Sequence, residues 1–457
     1  MKKSKYEIDM CNGSIMDKLV SFSIPLMLTG MLHLMFNAVD IVVVGRFSGS
    51  QALAAVGSTT ALISIFTNLF IGVSLGVNVL AARYYAAGKE REMSETVHTA
   101  VSLAVISGVV VALAGFLFAK EALLLMGTPE DVIQLSALYM RIYFLGMPFF
   151  MTFNYGAAIL RAVGDTKRPL LFLLFSGGVN VILDLLLVIG LHMGVAGVAI
   201  GTVASQMLSS ILVMLCLYRS EGCYQLRFSK LRLKAAYIKP ICQVGIPAGI
   251  QTTVISFSNA LLQSSVNSFG SIAMAGYTAA NNILSFLYVS INAVTQACMS
   301  FTSQNYAVGK YKRMDRILID CMILTIIISG VLGGSSYLFG NQIMRIYTQD
   351  AKVIQSGLEI LAITTIPYFL CGIMDLFAGA LRGMCYSFVP MILSIIGTVG
   401  FRLLWIFVFF PYHRNLFFLF ISYPGSWLLT IVMQAICFFL VRRHIRKPVI
   451  NEYVSKV

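Results

Sequence analysis

Apolar residues run along this chain in long blocks separated by short polar loops. Twelve such blocks can be read, at 19–45, 53–82, 96–118, 132–160, 169–190, 194–218, 241–268, 272–303, 317–340, 353–381, 390–410 and 416–441. Each is long enough to cross a bilayer as a helix, because a hydrocarbon core of about 30 Å takes about 20 helical residues. Pro25, Pro148, Pro247 and Pro367 fall inside blocks. Membrane helices accept proline where neighbouring groups satisfy the freed carbonyls. The pattern predicts an all-α polytopic membrane protein of twelve transmembrane helices.

Composition agrees with the pattern. Of 457 residues, 58% are hydrophobic and only 11% charged, against about 25% charged in a typical soluble protein. The net charge of +14 does not point to nucleic acid, because most Lys and Arg residues sit in the loops that lie on one side of the membrane once the N-terminus is placed in the cytoplasm. These are Lys2, Lys3, Lys5 and Lys18, then Arg83, Lys89 and Arg91, then Arg161, Lys167 and Arg168. Six more lie between Arg219 and Lys239, and the series ends with Lys310, Lys312, Arg313, Arg316, Arg382 and the basic C-terminal tail. Positive charge collects on the cytoplasmic side, so both termini are expected there. The first 18 residues are polar and carry no small-residue cleavage site, so no removable signal peptide is expected. Nine cysteines form no CxxC pair and five histidines form no HExxH pattern. Neither a structural metal nor a metalloenzyme is expected, and no nucleophile–base constellation suggests any other enzyme.

The chain also repeats itself. "RYYAAGKEREM" (83–93) matches "QNYAVGKYKRM" (304–314), and "LRAVGDTKRP" (160–169) answers "LRGMCYSFVP" (381–390) at the same offset. "SIP" (23–25) answers "GIP" (245–247), and Pro148 answers Pro367. The reading is two pseudo-symmetric six-helix lobes: residues 1–218, a basic cytoplasmic linker at 219–240, and residues 241–457. Six spans per half give both halves the same orientation. Transporters built from such repeats bind substrate between them and work by alternating access.

Carboxylates at membrane depth are expensive and usually functional. Asp40 lies ~8 Å, and Asp184 ~9 Å, below the outer end of their spans at 1.5 Å per residue. Asn37 and Asn180 stand one turn from them on the same faces. Thr202, ~12 Å down its own span, is close to that level. Two carboxylates, amides and a hydroxyl at one depth suit Na⁺, or a proton shared between the acids. At the matching positions of the second half stand Leu262 or Gln263 and, near Asp184's counterpart, Trp405. Asp375 reads as an interfacial partner of Arg382, and Glu359 as a group reaching the interface. Met35, Tyr139, Tyr277, Phe286, Tyr288 and Tyr368 are candidates to line a substrate cavity, since aromatic and Met surfaces accept organic cations of varied shape.

These residues resemble the multidrug and toxic compound extrusion (MATE) family over about 15–441. The likeness rests on "DIVVVGRFSGSQALAAVG", "YYAAGK", "QNYAVGK", "LRAVGDTKRP", "LRG", "NVILD" and "GTVASQ". The resemblance implies a twelve-helix, two-lobe exporter that expels small cationic amphiphiles in exchange for H⁺ or Na⁺; no other cofactor is expected, and the chain itself reads as a monomer of the bacterial cytoplasmic membrane. Members with a cation site in the first lobe place it at the positions occupied here by Asp40, Asn180, Asp184 and Thr202. The second-lobe acids of other members are missing: the seventh span has none, and Cys371 stands at the tenth-span position. An alternative of related architecture is a lipid-linked oligosaccharide flippase. That would need several basic residues in its cavity to hold a pyrophosphate, whereas Arg402 is the one arginine deep within a span.

Overall fold

A computed structural model describes residues 6–445. Lys2, Lys3, Lys5, Arg446, Lys447 and Lys456, used above to orient the chain, lie outside these residues. The described residues are helical with connecting loops and contain no strand. The chain forms two compact units. Among the described residues, one comprises residues 6–9 and 24–249, the other residues 10–23 and 250–445.

The first unit is built from most of α1 (Met16–Phe47), α2 (Gly49–Ala86), α3 (Glu90–Leu125), α4 (Glu130–Leu145) and α5 (Met147–Ala162). It continues through α6 (Lys167–Asp184), α7 (Gly194–Arg219) and the opening turns of α8 (Ala235–Asn267). Residues 219–240, read as a linker, comprise the end of α7, a loop with one 3-10 turn at Phe228–Lys230, and the start of α8. The unit's core gathers Val97, Ala100 and Val101 of α3 against Met147, Met151 and Tyr155 of α5.

The second unit holds the rest of α8, α9 (Ser271–Ala307), α10 (Tyr311–Leu338), α11 (Gly340–Tyr347), α12 (Ala351–Thr365) and α13 (Tyr368–Gly383). Then come α14 (Phe388–Ser394), α15 (Phe401–Leu404), α16 (Leu416–Phe420) and α17 (Ser422–Ile445). Two π-helical stretches, Ile395–Gly400 and Trp405–Phe409, flank α15.

Among the described residues, nine helices are long and apolar enough to cross a membrane, and two bent pairs raise the number to 11. The pairs are α4 with α5, bent by 45°, and α12 with α13, bent by 46°. Each bend falls beside a proline, Pro148 or Pro367, where the missing N–H frees a carbonyl. α8 is long but is not in the apolar set. Gln251, Thr252, Thr253, Ser256, Ser258, Asn259, Gln263, Ser264 and Ser265 make it the polar helix of the chain.

The repeat persists in the backbone. Gly88 and Gly309, the glycines of the two "YAxGK" loops, have φ of 68° and 71°. Gly164 has φ 97° and its counterpart Cys385 has φ 69°, so the turn survives where the glycine was lost. In the first of these turns the backbone of Ile8 occupies the space a side chain at 164 would need, 2.6 Å from Ile8 N. Asp165 then caps α6, its Oδ1 accepting from the N–H groups of Lys167 and Arg168 at 3.1 Å each. Burial pushes the Asp165 carboxyl above its ordinary range, while its ion pair with Arg168 pulls the other way.

Candidate functional site

The site is assembled from α1, α6 and α7 of the first unit. Gly177 opens the way: a Cβ there would overlap the ring of Phe36, so the missing side chain lets α1 settle on α6. Asp40 follows Phe36 by one turn along α1, and Asn180 and Asp184 follow Gly177 along α6, which brings the three polar groups together. α7 closes the group with a small-residue face. A Cβ at Gly197 would stand 3.1 Å from Leu187 Cβ, and one at Gly201 would overlap Asp184 Oδ1. Close approach through glycine is how membrane helices pack tightly. Immediately after Asp184 the helix widens into a π-helical segment, Leu185–Gly190, a distortion common beside functional groups.

Four of the residues predicted for the cation site meet here. Asn180 Nδ2 donates to Asp184 Oδ2 at 3.5 Å, and Thr202 Oγ1 approaches Asp40 Oδ2 at 3.4 Å. The Thr202 hydroxyl also reaches the Val198 carbonyl at 2.9 Å. One hydrogen cannot serve both, and the shorter bond claims it, so lone pairs of Oγ1 remain turned to Asp40. Asp40 is within hydrogen-bonding reach of Asp184, Thr202 and Asn180. Asp184 is 0% and Asn180 4% exposed. Oδ1 of Asp40 and Oδ1 of Asp184 are both buried without a donor. Two ionised carboxylates at such range repel strongly, and a shared proton or an oxygen-seeking cation relieves the repulsion. The donor set fits either: two carboxylates, an amide and a hydroxyl, all hard oxygen ligands.

Asn37, also predicted for this group, is exposed, and no hydrogen bond to the cluster is recorded for it among the described residues. Tyr143, with Gln206 within hydrogen-bonding reach of its phenol, was missed. Tyr143 stacks with Tyr139 at 6.2 Å between centroids and both phenols lie within electrostatic reach of Asp40. Gly201 was missed as well, although the spacing Gly197-Val-Ala-Ile-Gly201 is a readable small-residue signal.

The predicted cavity residues divide by burial. Tyr139 packs with Val43, Val44 and Val198. In the second unit, Tyr277 stacks on Phe420 at 5.7 Å, and Tyr368 meets Trp427 edge-on at 5.5 Å. Met35, Phe286 and Tyr288 are exposed. Glu359 is exposed too. Arg382 is not held by Asp375 through an ion pair among the described residues; its Nη2 donates to Gln251 Oε1 at 2.6 Å. Asp375 nevertheless has Arg382 within electrostatic reach, along with Tyr288 and Cys371.

A test of the packing follows from Gly201. Gly201→Ala places a methyl on Asp184 Oδ1, so the carboxylate must swing away from Asp40. On the ion-coupled exporter that the resemblance implies, the expected result is weaker coupling without unfolding, read as a higher ion concentration needed for half-maximal transport at a near-native melting temperature. Native ion dependence would show that Asp184 need not sit where it does.

Comparison with known proteins bears on what the site serves. The MatE family model matches the chain twice, over residues 25–186 and again over 247–408. The chain is 28% identical over 422 residues to the probable multidrug resistance protein YoeA of Bacillus subtilis, covering 90% of this chain and 91% of that protein. It is 23% identical over 370 residues to the multidrug export protein MepA of Staphylococcus aureus, covering 80% of each. Among solved structures, an outward-facing multidrug resistance MATE family transporter of the MOP superfamily superposes with a TM-score of 0.87. That match has 21% identity and covers 98% of this chain and 99% of the other. A MOP superfamily transporter from Pyrococcus furiosus gives 0.86 at 21% identity, covering 99% and 100%. At that identity the structural likeness establishes the fold.

Proposed function

The chain belongs to the MATE family of multi-pass membrane transporters, and from that premise we propose that it is an antiporter that exports organic, mostly cationic amphiphilic compounds in exchange for H⁺ or Na⁺. The observation that carries the reading is the pair of carboxyls, Asp40 and Asp184, within hydrogen-bonding reach of each other, each with an oxygen buried and undonated. When the site faces outside, the pair takes up a proton or Na⁺, which cancels its repulsion and draws α1, α6 and α7 together. When the site faces the cytoplasm the ion leaves, and the repulsion returns. A ligand shifts such an equilibrium only by its differential affinity for the two states, so the ion drives export to the extent that this pair holds it better in one of them. Met35, Phe286 and Tyr288, the exposed members of the predicted cavity set, offer aromatic and thioether surface for the organic substrate.

Both termini in the cytoplasm of a bacterial cell, with the chain in the cytoplasmic membrane, fit the loop charges; the chain is read as a monomer. A twelfth crossing is supplied by α8, at about 50 Å for its 33 residues, on which Gln251 and Ser258 are buried while Ser256, Gln263 and Ser264 are exposed.

The test is ethidium movement in proteoliposomes under an imposed proton or Na⁺ gradient. Transport that follows one gradient supports antiport and identifies the ion. Transport equally fast with no gradient, or none under either, would overturn the coupling.

A further inference from the structure

The second unit contains a buried cation that no carboxylate answers among the described residues. Arg402, in the short helix α15, is 2% exposed. Its Nε donates to Ser426 Oγ at 3.1 Å and its Nη1 to Asn259 Oδ1 at 2.7 Å. Nη2 makes no hydrogen bond among the described residues. The Tyr423 ring lies 4.2 Å from its Cζ. The ion pairs found in this unit, Arg316 with Asp320 and Arg442 with Asp315, do not include it. The titratable groups around it are Tyr423, Cys371, Tyr277 and Tyr368, none of them a carboxylate.

Taking a guanidinium out of water costs several kcal/mol even after the protein relaxes. Two neutral acceptors and one ring face recover only part of that cost. What would complete the site is an anion, and the surroundings say which kind. Tyr277 stacks on Phe420, Tyr423 stacks on the same ring at 5.9 Å and 12°, and Trp427 stands edge-on to both Tyr368 and Tyr423. A guanidinium set in an aromatic wall matches a flat aromatic acid: the carboxylate takes the guanidinium edge and the rings take the ring. In the repeat register Trp405 stands opposite Asp184 and Arg402 opposite Val181, so the second unit carries its cation within one helical turn of the place where the first carries an acid.

We infer that Arg402, held by Asn259 and Ser426 and backed by Tyr423, is a subsite for the carboxylate of an aromatic substrate. The inference rests on the reading of the chain as an exporter of organic compounds and narrows the substrates it takes to include those bearing an acid.

The test is direct binding to the full-length protein in nanodiscs, by tryptophan fluorescence with no ion gradient. Failure of ion coupling therefore does not affect the readout, and failure here leaves ethidium export untouched. Nalidixic acid is compared with its ethyl ester, with ethidium as a probe that has no carboxylate. The acid should bind about tenfold tighter than the ester, on the scale of one charge-assisted pair. Arg402→Gln should abolish that difference while ester and ethidium affinities stay unchanged. If Arg402→Gln does not fold, Asn259→Ala replaces it; it loosens the guanidinium and should lower affinity for the acid alone. Equal binding of acid and ester to the native protein overturns the inference. So does a variant that loses all three ligands together, which would make Arg402 purely structural. Displacement of the acid by chloride alone, with no added affinity from the aromatic body, reduces the site to a simple anion pocket and also overturns it.

Discussion

Asp184→Asn is expected to reduce gradient-driven ethidium export to the level of protein-free liposomes. The substitution is nearly isosteric, and its amide still meets Asn180, so the packing of α6 against α7 is kept. What it removes is the charge. Asp184 is fully buried, and with Asp40 it forms a pair that can exist at that range only when a proton or cation neutralises it. With an amide in place of one carboxyl, the remaining acid has a neutral donor beside it and no repulsion for an ion to relieve. Binding of H⁺ or Na⁺ then no longer distinguishes one conformation from the other, and a ligand that does not distinguish states drives nothing. Ethidium binding and the melting temperature should stay near native, which separates lost coupling from lost fold. Export at the native rate would place the coupling elsewhere in the chain.

Much of this site was legible before any coordinates. The depth of Asp40 and Asp184 follows from counting residues along each span, and the amide one turn from Asp184 follows from helical spacing. That α1 and α6 are neighbours does not follow, because nothing local in the sequence says which spans touch. The contact depends on Phe36 entering the gap at Gly177, and on Gly197 and Gly201 admitting α6 to α7. Asn37 shows the cost of using depth alone: it stands at the right level and is exposed. The repeat was visible as matching glycines at 88 and 309, yet at 164 and 385 the backbone kept a left-handed turn that the sequence no longer marks with glycine. Arg402 was recognised as the one arginine deep in a span. Its partners Asn259 and Ser426, from α8 and α17, are distant in sequence, so its lack of a counter-ion could be found only in three dimensions.

The same logic of missing side chains gives the largest expected loss of stability. Gly72 and Gly76 of α2 face Gly245 and Gly249 in the opening turns of α8, two GxxxG faces in contact. A Cβ at Gly72 would lie 2.8 Å from Gly245 O, one at Gly249 2.6 Å from Leu69 O, and one at Gly245 2.9 Å from Gly72 O. At Gly76 it would overlap Ile241 O and stand 3.0 Å from Gly245 N. Every obstacle is main chain, so no rotamer change can make room. In lipid, helices are held by close van der Waals contact rather than by burial from water, so forcing them apart forfeits much of what joins them. Overpacking a core against movable side chains costs about 1–3 kcal/mol. Gly76→Leu, set against backbone, should exceed that, with little folded protein recovered in detergent and a strongly lowered melting temperature for what remains. Gly57→Leu on the same helix is the control, because a Cβ there meets nothing within 4 Å, and it should purify and melt like the native chain. If the two variants behaved alike, the packing of α2 on α8 would not depend on these glycines. A loss confined to Gly76→Leu would show that these small residues on α2 and α8 specify that the two helices meet.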